Sequence, residues 1–291
     1  MSPVLASFLD LLDLEPIEVN IFRGQNRYLG SKRVFGGQVL AQALVAAGRT
    51  VEEDRRAHSL HAYFILPGDI ERPIVYQVER LRDGGSFATR RVTAVQHGRP
   101  ICNCSVSFHK AEEGLEHQAA MPPDVPAPEG LPSEVELARR MGHLFPDPLR
   151  AVYTAERPIE WRPVDPINPF DPQRREPPVN HVWIRAVDAV PGGPLMQQAV
   201  LAYASDYGLL GAALLPHGRS FFQPTMQAAS LDHALWFHRP FDAHEWLLYA
   251  MDSPSAAGAR GFTRGAIYAR DGRLVASVAQ EGLIRVIEPR G

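Results

Sequence analysis

Two stretches of this chain, 57–67 and 227–240, are imperfect copies of one another, and this repetition narrows the possible folds more than any other feature. The correspondence continues downstream: Pro67 aligns with Pro240, Phe87 with Phe262, Arg90 with Arg264 or its neighbour, and Gly98-Arg99 with Gly272-Arg273. The offset is about 174 positions, far above the period of solenoid repeats. A repeat of that size is a duplicated domain. In each copy a helical pattern precedes a run of strands. Such a unit buries its helix only by wrapping its sheet around it, and two half-shells of this kind can abut edge to edge as one continuous sheet.

The stretch 227–240 anchors the reading. It alternates as one strand, with Ala229, Leu231, His233, Leu235 and Phe237 on one side and Ser230, Asp232, Ala234, Trp236 and His238 on the other. Neither side is purely polar, so both are expected to be covered, and the Ser230 hydroxyl then points into an apolar neighbourhood. In the first copy, 3–14 reads as a short amphipathic helix, 17–23 as a strand and 30–37 as a loop. The segment 38–47 is a helix apolar on nearly every side, hence buried. Strands follow at 58–66, 74–81, 87–96 and 100–110, with Asp83-Gly84-Gly85 and His97-Gly98 as hairpin turns.

The second copy repeats the order: a strand at 179–187, a long helical pattern over 196–215 with Asp206 in its middle, the anchor strand, and strands at 246–252, 261–269 and 274–285. Between the copies, 121–178 holds more than half of the prolines. It is expected to be an extended strap, interrupted by one short helix that Ser133 and Glu136 cap reciprocally. Trp161 and Phe170 are costly to leave in water, so the strap should lie ordered against the domain. The organisation is therefore an N-terminal repeat over 1–120, a proline-rich strap over 121–178 and a C-terminal repeat over 179–291.

Composition sets the class. With 45% hydrophobic and 22% charged residues the chain is an ordinary globular one. A net charge of -3 leaves no basic footprint, and no apolar run is read as approaching transmembrane length, so neither nucleic acid nor membrane is an expected partner. Cys102 and Cys104 share a strand face and cannot comfortably bridge each other. Absence of a disulfide framework and of a leader pattern, with a C-terminal Glu288-Pro289-Arg290-Gly291 unlike a peroxisomal address, points to the cytoplasm. His233 and His238 fall on opposite strand faces, and the cysteines lack zinc-site spacing, so no metal is expected. There is no Gly-x-Ser-x-Gly elbow, and Gly36-Gly37 is not a dinucleotide fingerprint, so no cofactor is expected either.

The order of elements and a set of local motifs resemble the acyl-CoA thioesterase II family, essentially end to end. The stretches that carry the resemblance are Phe22-Arg23-Gly24-Gln25, Val34-Phe35-Gly36-Gly37-Gln38-Val39, Arg82-Asp83-Gly84, Ala204-Ser205-Asp206, Asp232-His233, Trp236-Phe237-His238-Arg239-Pro240, Ala259-Arg260-Gly261-Phe262 and Gln280-Glu281-Gly282. The resemblance implies an α+β double hotdog: two tandem helix-plus-antiparallel-sheet repeats forming one continuous sheet. It implies hydrolysis of fatty acyl-CoA to free acid and CoA, with acyl-CoA as substrate partner and self-association into a homodimer or homotetramer.

The family's catalytic arrangement is an Asp, a Thr or Ser, and a Gln that together hold a water. Matched motif by motif, these fall on Asp206, Ser230 and Gln280. This chain carries Ser230 where the family often has Thr, which keeps the hydroxyl. The duplication adds a separate argument, because the first-copy counterpart of Gln280 is Val106. An unpartnered buried amide costs about 1–3 kcal/mol, so an amide at a site that elsewhere takes valine calls for a polar ligand. Each residue also has a plainer reading: Asp206 capping a second helix from Tyr207, Ser230 bonded to a neighbouring carbonyl, Gln280 bridging backbone groups. Arg90, Arg91, Arg260 and Arg264 are either contacts for CoA phosphates or solvated strand charges. A non-hydrolytic acyl-CoA binding protein and a hotdog enoyl-CoA hydratase are the alternatives; a hydratase needs an Asp–His dyad, and no histidine is expected beside Asp206.

Overall fold

The computed structural model describes residues 1–287; positions 288–291, on which the peroxisomal-address expectation rests, lie outside the described residues. In chain order the elements are α1 (Pro3–Leu12), β1 (Glu15–Glu18), β2 (Ile21–Gly24), α2 (Gly36–Gly48), β3 (Arg55–Phe64), β4 (Ile74–Asp83), β5 (Phe87–Gln96) and β6 (Arg99–Lys110). Then follow α3 (Glu134–Arg140), α4 (Asp147–Tyr153), β7 (Ile159–Pro163), β8 (Val179–Ala186), α5 (Gly193–Ser205) and a 3-10 helix over Leu209–His217. The chain finishes with β9 (Met226–Ser230), β10 (Asp232–Phe237), β11 (Leu247–Ala257), β12 (Arg260–Ala269) and β13 (Leu274–Val286).

All these strands join one 13-stranded sheet in the order β1-β2-β4-β5-β6-β3-β10-β13-β12-β11-β8-β7, with β9 beside β13. The two copies meet at its middle, where β3 and β10 run antiparallel and pair Leu60 with Leu235 and Trp236 with Ser59. Each half carries one enclosed helix. Leu40 and Leu44 of α2 and Ala199 and Ala202 of α5 are fully buried in a shared core, where each large aliphatic side chain contributes about 1.5–3 kcal/mol. The helices can approach because α2 presents small residues: a Cβ on Gly37 would stand 2.4 Å from the Tyr203 carbonyl oxygen.

The buried amides of α2 explain why its flanking segment follows it so closely. Gln42 Nε2 donates to the Leu11 and Gln25 carbonyls, and Gln42 Oε1 accepts from the Tyr76 hydroxyl. Gln38 Nε2 donates to Asn26 Oδ1, and Gln38 Oε1 accepts from the Arg27 N–H. These bonds satisfy groups that are otherwise expensive to bury, and they pin the loop after β2 beside the start of α2.

Several local expectations change. The stretch 17–23 is not one strand: it turns at Asn20, which takes a φ of 60°, so β1 and β2 form a hairpin. The stretch 196–215 is not one helix, because the chain leaves α5 at Asp206 and restarts after Gly208, whose φ is 78°. Contrary to the hydropathy expectation, Gly193–His217 is long and apolar enough to cross a membrane by composition, yet most of it is buried against the sheet. The anchor stretch 227–240 is also divided, into β9 and β10.

The proline-rich segment is more than a strap. Its start covers the outer sheet face over Trp183, Trp246, Leu248 and Tyr268, with Met121, Val125 and Leu131 packed on them. The Pro126 carbonyl accepts from Trp183 Nε1 at 2.8 Å. The segment then rounds the sheet edge, where β7 pairs with β8, and its α3 and α4 lie over the inner face. The Ser133–Glu136 capping box forms as read from sequence.

Candidate active site

The site forms where the end of one central helix meets the beginning of the other. Asp206 is the C-terminal cap of α5 and only 9% exposed. Gln280, 1% exposed, projects from β13 and donates Nε2 to Asp206 Oδ1 at 2.6 Å. Ser230, at the end of β9, places its hydroxyl 3.5 Å from the same oxygen, a long and therefore weak contact. The three residues singled out from sequence thus face one point. Asp206 does not cap the following helix, whose N-cap is Gly208.

The other carboxylate oxygen is aimed elsewhere. A Cβ on Gly36 would lie 2.7 Å from Asp206 Oδ2 and 2.9 Å from the Phe64 ring, so the backbone at the start of α2 passes directly against the carboxylate. The first N–H groups of a helix have no partner within it, and the cap residue Phe35 supplies no side-chain acceptor. A positive helix end with free donors therefore faces the acid. Among the described residues no donor meets Asp206 Oδ2. Gln280 Oε1 is buried without a protein partner among them.

One residue of the site was not legible in the pattern. His233 is fully buried, with Nδ1 3.8 Å from Asp206 Oδ1 and Nε2 2.9 Å from Ser205 Oγ. The expectation that no histidine stands beside Asp206 is therefore wrong. The cause is a bulge. Ser230 pairs with Gly282 and Ala234 with Ala279, so the 230–234 stretch contains one more residue than the strand opposite. Leu231 is the extra residue; its N–H donates to the Glu281 carbonyl, and its carbonyl accepts from the Phe64 N–H. One inserted residue reverses which side the following positions face, so Ser230 and His233 both turn toward Asp206.

The Ser205 hydroxyl lies between His233 Nε2 and the Ala202 carbonyl, to which it donates at 3.0 Å, and His233 Nδ1 has no hydrogen-bond partner among the described residues. Burial holds the His233 pKa below its ordinary value, against the opposing pull of Asp206. The ring is neutral and enclosed, with no exposed surface from which to meet a substrate carbon as a hydratase base must.

None of the four arginines considered for phosphate contact is free. Arg90 is 1% exposed and spends its guanidinium on Thr50, Asp83 and the Arg82 and Thr89 carbonyls. Arg91 pairs with Glu79, Arg260 with Glu281 and Arg264 with Asp252. Both cysteines are buried; burial, reinforced by Asp206, pushes the Cys102 thiol up to about 12.

Comparison with known proteins places this geometry in context. A family model described as acyl-CoA thioesterase matches residues 148–283, and one described as acyl-CoA thioesterase N-terminal domain matches 26–109. The chain is 44% identical over 288 residues to acyl-CoA thioesterase 2 of Haemophilus influenzae, spanning 99% of this chain and 100% of that one. It is 43% identical to human acyl-coenzyme A thioesterase 8, across 95% of this chain and 88% of the relative. Among solved structures, acyl-CoA thioesterase II TesB2 from Mycobacterium marinum superposes with a TM-score of 0.77 at 41% identity, covering 98% of this chain and 99% of that one. A hot dog fold protein from Alicyclobacillus acidocaldarius gives the same TM-score, 0.77, at 20% identity, which bears on the fold alone.

Proposed function

The chain belongs to the acyl-CoA thioesterase family, a double hotdog fold, and from that membership we propose that it hydrolyses fatty acyl-CoA with Asp206 as general base. The observation that carries this reading is the 2.6 Å bond from Gln280 Nε2 to Asp206 Oδ1 beside the open start of α2. With one carboxylate oxygen held by Gln280, the other is left to accept a proton from water. Ser230 and the Gln280 carbonyl orient that water. The water oxygen attacks the thioester carbon and its proton passes to Asp206, while the Gly36 and Gly37 N–H groups receive the developing oxyanion. Collapse of the intermediate breaks the carbon–sulfur bond. The departing thiolate takes the proton, giving free acid and CoA thiol.

Asp206→Asn is the direct test. It preserves the shape and the bond to Gln280 but removes the base, so CoA-thiol release from acyl-CoA should fall at least about a hundredfold, the scale of losing one transition-state group. Unchanged turnover would remove Asp206 from the chemistry. The same reading includes acyl-CoA as the partner molecule, a cytoplasmic location and self-association into dimers or tetramers, supported by the unpaired outer edges of β1 and β7 at the ends of the sheet. Sedimentation showing only monomer at micromolar concentration would reject the last of these.

A further inference from the structure

Past Asp206 the chain opens a second space that the three catalytic candidates do not use. A cavity of about 220 Å³ lies between the inner sheet face and the proline-rich segment, lined by Ala138, Met141, Phe145, Trp161, Phe222 and Met251, among others. Tyr207 and Gly208, the two residues after Asp206, form part of its wall. A Cβ on Gly208 would meet nothing within 4 Å, so the wall is uncrowded there.

Strand register places the cavity and the site on the same face of the sheet. Gln280 pairs with Thr263, Gly265 lies two residues further along the same face of β12, and Gly265 pairs with Met251 of β11. Gln280 and Met251 therefore share the inner face two strands across and two residues along, about 12 Å at the usual spacings, with the Tyr249 ring standing over Gly265 between them. The charged groups at the wall are neutralised. Glu134 accepts from the Tyr207 hydroxyl at 2.5 Å and pairs with Arg157, which itself donates to that hydroxyl at 2.6 Å. Asp165 is paired with Arg175. What remains exposed to a guest is largely hydrocarbon and aromatic.

We propose that this cavity receives the acyl tail of the substrate, so that the proline-rich segment, and not the two sheets alone, sets chain-length preference. The inference rests on the thioesterase reading above. A thioester whose carbonyl lies between Asp206 and the start of α2 has one apolar arm to place, and the cavity beneath α3, which begins at Tyr207 and Gly208 directly after Asp206, is the apolar space beside it. At about 30 Å³ per methylene, the ratio of the cavity and burial coefficients, the space holds about seven methylene groups.

The test uses saturated acyl-CoAs of four to sixteen carbons together with their non-hydrolysable thioether analogues. Each added methylene buried should raise kcat/KM, and the affinity of the analogue, about fourfold, with a break near eight carbons. Ala138→Phe, on a short peripheral helix, should move that break to shorter chains while butyryl-CoA turnover is retained. Phe222→Ala should move it to longer ones. An unshifted profile in a folded Ala138→Phe protein overturns the assignment; if that variant fails to fold, an unshifted profile in Phe222→Ala does the same. Analogue affinity that rises with length and shifts in the variants supports the cavity even without turnover, in which case the hydrolytic reading fails and this one stands.

Discussion

Gln280 and Asp206 lie 74 positions apart, yet their side chains meet at 2.6 Å in a buried pair. The bond orients the carboxylate from one side and leaves Gln280 Oε1 without a protein partner among the described residues. Groups that act as one unit are not additive in mutant kinetics. Gln280→Leu and Asp206→Asn should each lower kcat by about a hundredfold or more. The double variant should lie close to the worse single one. Steady-state kinetics of all three checks this, and fully multiplicative losses would show that the two side chains work separately.

His233 predicts how stability follows pH. Its pKa is lowered by burial in the folded state, so between the unfolded value near 6.5 and the lower folded value the unfolded chain binds more protons. The contribution is complete above that unfolded value and is lost as pH falls below it. Partly buried His58 and His181 and the exposed His238 shift in the same direction. The urea midpoint should therefore drop between pH 7.5 and 5.5, and His233→Asn should flatten that drop while lowering stability by about 1–3 kcal/mol at neutral pH. A wild-type midpoint that rises over this interval would contradict the assignment.

Gly36 tests the closeness of α2 to the carboxylate. An alanine methyl there would sit 2.7 Å from Asp206 Oδ2 and 2.9 Å from the Phe64 ring, so Asp206 or the helix start must shift. Misplacing a reacting group by about an ångström can cost about a hundredfold in rate. Gly36→Ala should thus lose one to two orders of magnitude in kcat, whereas alanine suits a helix better than glycine and the melting temperature should change little. Normal kcat in a folded variant would mean that the carboxylate tolerates displacement.

The parts of this molecule readable from sequence are those governed by local periodicity. The all-round apolar α2 and the Gly-based hairpins each follow from a few adjacent residues, and the duplication from comparing two such local patterns about 174 positions apart. The bulge at Leu231 does not, because an inserted residue shows only when a strand is counted against its partner. With it went the facing of Ser230 and His233. The restart after Gly208 was hidden for a related reason: apolar residues resume at Leu209 and run to Leu215, so the helical pattern reads on past Asp206, although Gly208 was a local signal. Strand β7 was masked by Pro163 at its end and Pro158 just before it, at a sheet edge where a missing N–H is tolerated.

The two cysteines give a prediction that also bears on the enzymatic assay. Cys102 and Cys104 are each 1% exposed, and burial is the main cause raising both thiols, Cys102 to about 12 and Cys104 well above 9. The thiolate is the reactive species, and neither side chain reaches solvent without opening of the central strands β3, β5 and β6. An aromatic disulfide reagent at pH 8 should leave the native chain unlabelled over the minutes of a turnover measurement and titrate both thiols once the chain is unfolded in denaturant. Labelling in the native state should follow global opening, because these strands are interior to the sheet. Rapid native labelling at either position would show that β6 opens independently, and would place the Cys102 face of the site in exchange with solvent.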